Sequence, residues 1–152
     1  MSERIPAPAL WLGLGGLIPF YASAGLTLID DPYLRSAALT SFAIYAAVIL
    51  SFLGGARWGL ALTAEPLRPI ALIYSVLPSI AAWLAALAIA LGVAAVGAAG
   101  AFALAFLAQY LWDRSAQLDG APAWYARLRR ILTLGVLGAC LIVAAASALQ
   151  SS

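Results

Sequence analysis

The run IALIYSVLPSIAAWLAALAIALGVAAVGAAGAFALAFLAQYLW, Ile70 to Trp112, is 43 residues without a charge. A membrane-spanning helix needs roughly 20 apolar residues at about 1.5 Å each, so this run is too long for one crossing and right for two. The tightest place to fold it back lies between Leu91 and Gly100, where Gly92, Gly97 and Gly100 weaken a helix. The run therefore predicts two spans, about 70–91 and 96–112.

Working outward, three further apolar segments have the same character. Residues 9–29 run up to Asp30-Asp31-Pro32, residues 37–62 contain a single charge at Arg57, and residues 131–149 contain none. The expectation is an all-α integral membrane protein, one bundle of five transmembrane helices occupying 1–152 as a single domain. Composition agrees: 65% of the 152 residues are hydrophobic, 9% are charged and mean hydropathy is +1.02. A soluble globule of this size leaves too much surface in water to hide that apolar content.

The inventory excludes much chemistry. There is no His and no Lys, and Cys140 is the only cysteine. Ser-His-Asp triads, His-ligated haem and the common zinc sites therefore lack their residues. No intramolecular disulfide can form. Neither a cofactor nor a metal is expected. The acids are Glu3, Asp30, Asp31, Glu65, Asp113 and Asp119, all terminal or at loops and span ends, which argues against proton coupling through the membrane.

Five spans place Arg4, Arg57, Arg68, Arg114, Arg127, Arg129 and Arg130 on one side and only Arg35 on the other. Seven against one is a strong positive-inside bias, predicting a cytoplasmic N-terminus and a periplasmic C-terminus. The pI near 9 reflects this asymmetry and does not argue for nucleic acid. A signal peptide is the competing reading of the N-terminus, with Arg4 before an apolar run and cleavage after Ala22-Ser23-Ala24. The continuation to Ile29 favours a retained helix.

The 113–130 segment reads as a loop. Trp124 and Tyr125 beside Arg127, Arg129 and Arg130 suit an anchor in the headgroup layer, or a site for anionic lipid or a partner. In the second span Ala47, Ser51, Gly55 and Gly59 form a stripe of small residues that would admit another helix closely, and Ala71, Ser75 and Ser79 repeat that spacing in the third. Pro19 and Pro78 free the carbonyls of Gly15 and Tyr74, which must then find partners. Phe52-Leu53 with Trp58 is echoed by Phe106-Leu107 with Trp112, raising a duplicated hairpin as one reading.

Topology gathers Arg57, Tyr74, Ser75, Gln109, Tyr110 and Asp113 at one depth, with Trp58 beside them. Arg57 lies ~7 Å inside its span at 1.5 Å per residue. It would snorkel to the headgroups, clamp Asp113 and the Tyr74 carbonyl, or bind an anion in a pocket walled by Trp58, Tyr74 and Tyr110.

The run Ser51-Phe52-Leu53-Gly54-Gly55-Ala56-Arg57-Trp58-Gly59 resembles the signature of an uncharacterised membrane family that includes mitochondrial transmembrane protein 69 and many bacterial proteins. Leu17-Ile18-Pro19-Phe20, Ser75-Val76-Leu77-Pro78-Ser79 and Pro122-Ala123-Trp124-Tyr125 extend the likeness in the same order along most of the chain. The resemblance implies a small multi-pass protein of the bacterial inner membrane and supplies no mechanism. Three function classes follow. The first is a structural or assembly partner of other membrane subunits. The second is a transporter, channel or lipid-binding protein with a cytoplasm-facing anion or headgroup site at Arg57. The third is an enzyme, for which no base, metal site or cofactor motif accompanies Asp113 or a serine.

Overall fold

The computed structural model describes residues 4–115 and 122–149. It consists of α1 (Ala7–Gly15), α2 (Ile18–Leu26), α3 (Pro32–Leu62), α4 (Pro69–Ala90), α5 (Ala95–Ser115) and α6 (Ala123–Leu149). The described residues contain no strand. Helices α1 and α2 together make one span, so five segments are long and apolar enough to cross a membrane. Glu3 and Asp119 lie outside the described residues, as does 116–121 of the segment read above as a loop.

Local chemistry sets the boundaries. Asp31 caps α3, its Oδ1 accepting from the backbone N–H groups of Tyr33 (2.8 Å) and Leu34 (2.9 Å). Pro32 and Pro69 occupy first-turn positions, where a missing N–H leaves no helical bond unmade. Helix α3 therefore starts five residues before the expected span and runs for 31 residues. The α4–α5 turn has the expected four residues, set one position earlier at 91–94. Gly92 alone takes a left-handed φ of +82°, while Gly97 and Gly100 lie within α5.

Two expectations are corrected here. The first span is broken at Gly16–Leu17, so Pro19 stands in the opening turn of α2 and not within a continuous helix. The carbonyl satisfied at that break by a side chain is that of Gly16, which accepts from the Tyr45 hydroxyl at 2.9 Å. The last span begins at Ala123 and not near 131, so Trp124 to Arg130 form two turns of α6.

The helices form a ring. Helix α2 packs on α3, α3 on α4, α4 on α5, α5 on α6, and α6 closes against α2. Phe20, Phe42, Phe102 and Phe106 fill the centre in edge-to-face pairs with centroids 5.5 to 6.3 Å apart. At most 39% of any span's hydrophobic window is buried within the bundle. The rest, including Trp11, Leu12, Phe52, Leu104 and Leu141, faces outward as a lipid-bathed helix requires.

Hydrocarbon supplies no hydrophobic drive between helices, so close packing matters. It runs one residue away from the expected stripe. A Cβ on Gly54 would overlap the Ser75 carbonyl oxygen, whereas one on Gly55 or Gly59 would meet nothing within 4 Å. Ser51, Gly55 and Gly59 lie on the exposed face of α3, and Gly54 is buried against α4. The echoed aromatics also differ in surroundings: Phe52 is 69% exposed and Phe106 only 1%.

Candidate anion site

Three helices converge on the Asp113 carboxylate. Arg57, five residues before the end of α3, gives Nη1 to Oδ1 at 2.5 Å. Arg129, in the second turn of α6, gives Nε to Oδ2 at 2.9 Å. Gln109, one turn before Asp113 on α5, donates from Nε2 to Oδ1 at 3.1 Å. The cluster is nearly dry, with side-chain exposures of 11% for Arg57, 6% for Asp113 and 7% for Arg129.

Aromatic rings complete the walls. The Arg57 guanidinium carbon sits 3.8 Å from the centroid of the Trp112 ring, a cation–π arrangement. Tyr74 of α4 meets the same ring edge-on at 5.4 Å. Four of the five spans thus contribute to one polar layer in an otherwise apolar bundle.

The charges do not balance. Two guanidinium groups share one carboxylate, leaving an excess of one positive charge. A buried charge is costly unless it is paired and its donors are met. Here they are not all met. Arg129 Nη2, the Gln109 side-chain carbonyl oxygen and the Thr133 hydroxyl are buried without a hydrogen-bond partner. Elsewhere buried hydroxyls return to their own helix: Ser23 donates to Pro19 at 2.6 Å, Thr27 to Ala24 at 2.6 Å and Ser75 to Leu72 at 2.7 Å.

Beside the cluster a wider cavity of about 610 Å³ is lined by Tyr110, Asp113, Arg114, Tyr125, Arg127, Arg129 and Arg130, among others. Basic side chains dominate its charge. Of the two clustered arginines Arg129 lines this space, and a guanidinium there would suit an oxyanion, because its donors match carboxylate and phosphate geometry.

The sequence-derived residues divide as follows. Arg57, Gln109 and Asp113 meet directly, Tyr74 joins through Trp112, and Tyr110 lines the cavity. Ser75 is buried against Gly54 and serves helix contact. Trp58 is 42% exposed and makes no hydrogen bond or ring contact with the cluster. Arg127 and Arg130 are exposed, and Trp124 stands edge-on to Tyr125 at 6.4 Å.

Arg129 is the departure: grouped above with the interfacial belt, it turns inward onto Asp113. Continuing α6 back to Ala123 explains it. Residues 129, 133, 136, 140 and 143 then fall on one helical face, and all five are buried. Trp112 was passed over as a site residue because its partner Arg57 lies on another helix, and Thr133 because only the inward face of the extended α6 reveals it.

The fold and this layer define a multi-pass helical membrane protein. The chain belongs to the family described as "Protein of unknown function (DUF3429)", whose model matches residues 5–146. It is 39% identical over 139 residues to Transmembrane protein 69 of Xenopus tropicalis, covering 85% of this chain and 50% of that one. With Transmembrane protein 69 of Mus musculus it shares 44% identity over 85 residues, covering 54% of this chain and 34% of that one. The chain thus spans half the length of the frog relative and about a third of the mouse one. No solved structure matches it significantly.

Proposed function

We propose that this protein binds an anionic group, a lipid headgroup or a small oxyanion, at the Arg57–Asp113–Arg129 layer. It would do so in the bacterial inner membrane, with its N-terminus cytoplasmic and its C-terminus periplasmic. The observation carrying this reading is the unpartnered Arg129 Nη2 in a buried cluster of two cations and one anion. A bound anion would neutralise the excess charge and meet the open donors. The arginine bias toward the same end supports the orientation, since positive loops stay in the cytoplasm and attract anionic headgroups.

The test uses Arg57→Ala in the full chain. Removing Arg57 leaves Asp113 paired one-to-one with Arg129, so the bundle should persist while the surplus charge disappears. Phosphatidylglycerol or inorganic phosphate should raise the Tm of the wild type in zwitterionic nanodiscs and leave the variant unmoved. Equal shifts in both proteins would refute the site. Failure of the variant to accumulate would make Arg57 a structural clamp.

A second reading, assembly with other membrane subunits, draws on the outward stripe of Ser51, Gly55 and Gly59. Its Gly55 and Gly59 positions have open space where a Cβ would stand. Small residues on a lipid-facing surface allow close approach of a further helix. Cross-linking from a cysteine placed at Gly55 in native membranes should then capture a discrete product, and its absence would leave the stripe facing lipid.

A further inference from the structure

The break between α1 and α2 opens a second cavity, about 320 Å³, between that junction, α3 and α6. Its apolar lining includes Gly16, Leu17, Ile49, Phe52, Leu132 and Val136, and its polar lining includes Arg129 and Thr133. Those two residues carry the unpartnered Nη2 and hydroxyl, and they are only 5% and 3% exposed. Leu12 and Phe52 also line the cavity and are 79% and 69% exposed, so its rim meets the hydrocarbon that bathes the bundle. An apolar cleft open to lipid thus has its few polar groups beside a cluster with surplus positive charge.

From this juxtaposition we infer that the cleft binds a lipid with an oxyanion head, one acyl chain lying along α6 and the head held by Arg129 and Thr133. The inference rests on the anion-site reading and names its ligand class. Charge sets the sign of the head, because Arg129 retains a free donor after engaging Asp113 through Nε. Size sets the chain number. A volume near 320 Å³ is at the low end of the roughly 300–1,000 Å³ range of small-molecule sites, which favours a single-chain lipid over a two-chain one. Lining sets the chain's nature, since everything beyond Arg129, Thr133 and the Tyr125 hydroxyl is hydrocarbon or glycine. The Tyr21 hydroxyl, donating to the Gly135 carbonyl at 3.0 Å, ties α2 to α6 near the cleft, and Leu17 stands against Gly135.

The experiment is a titration of the full chain in phosphatidylcholine nanodiscs, followed by Tm and by native mass spectrometry. Three probes separate the sources: lysophosphatidic acid (chain and phosphate), inorganic phosphate (phosphate alone) and monoacylglycerol (chain alone). Lysophosphatidic acid should bind at least tenfold more tightly than either of the others. Thr133→Val should weaken it about tenfold, the loss of one hydrogen bond to a charged group, without weakening the fold. Ile49→Phe, which fills the cleft, should weaken lysophosphatidic acid and spare inorganic phosphate. Phosphate binding as tightly as the lipid, unmoved by Ile49→Phe, would overturn the acyl cleft and leave the anion site standing. Monoacylglycerol binding as tightly as lysophosphatidic acid would overturn recognition of the head. Binding of no probe would overturn both the cleft and the anion site.

Discussion

The two ends of the bundle use the same residue types in opposite ways. At one end Asp31 caps the helix that follows it, and Arg35 reaches the Ile29 carbonyl at 3.3 Å and the exposed Asp30 at 3.4 Å. Every partner there lies within six residues along the chain. At the other end Arg57 and Asp113 are 56 residues apart, Asp113 and Arg129 16 apart, and the three side chains are only 6 to 11% exposed. The first set shapes one helix boundary, and its Asp30 carboxylate is fully exposed to solvent. The second joins three helices where water does not compensate a missing partner. Burial and chain separation, and not residue type, decide which charges govern the molecule.

That contrast is open to direct attack. The largest effect is expected from Asp113→Ala, which strands two buried guanidinium groups. Breaking a buried charged cluster costs roughly 3–5 kcal/mol, enough to prevent accumulation of a small bundle. Thermal unfolding in detergent would check this, and a near-wild-type Tm would mean that the arginines reach water on their own. Gly54→Leu should follow at about 1–3 kcal/mol, because the new side chain has to displace α4 from the Ser75 carbonyl.

Asp31→Ala removes the cap of α3 and should cost about 1 kcal/mol, visible as a modest drop in Tm and faster amide exchange at Tyr33 and Leu34. Smallest of all, Asp30→Asn should leave the unfolding curve unchanged, since its carboxylate is fully exposed. Gly55→Leu should likewise keep the Tm of the isolated chain. Paired with Gly54→Leu, it separates the face that packs from the face that looks outward. A reversal of that pair, with Gly55→Leu the more damaging, would show that the lipid-facing stripe of α3 is the tighter contact.

The α6 segment shows where sequence reading stops. Its arginines and aromatics carried the composition of an interface, and a loop was expected because the charges interrupt the apolar run. Tertiary contact overrides that local signal: Asp113 gives Arg129 a partner, so the helix carries a guanidinium inward at 5% exposure. The small-residue stripe erred by one position for a related reason. Ala47, Ser51, Gly55 and Gly59 share a face by spacing alone, but spacing does not say which face meets a neighbour. Gly54, with a large Phe-Leu pair before it, was the position where α4 came closest.

What the sequence determined by itself was the solvent and the count of crossings. Runs of about 20 uncharged residues separated by charge, proline and glycine are dictated by bilayer thickness and by the need to satisfy backbone groups within each helix. The proximity of Arg57, Gln109 and Asp113 was also legible, because alternate spans return to the same side. The tertiary structure decided the rotation of each helix about its axis. That rotation placed Gly54 and not Gly55 against α4, turned Arg129 onto Asp113, and left Thr133 and Arg129 Nη2 without partners. It is set by packing between helices far apart in the chain, and periodicity within one helix contains no information about which neighbour it will face.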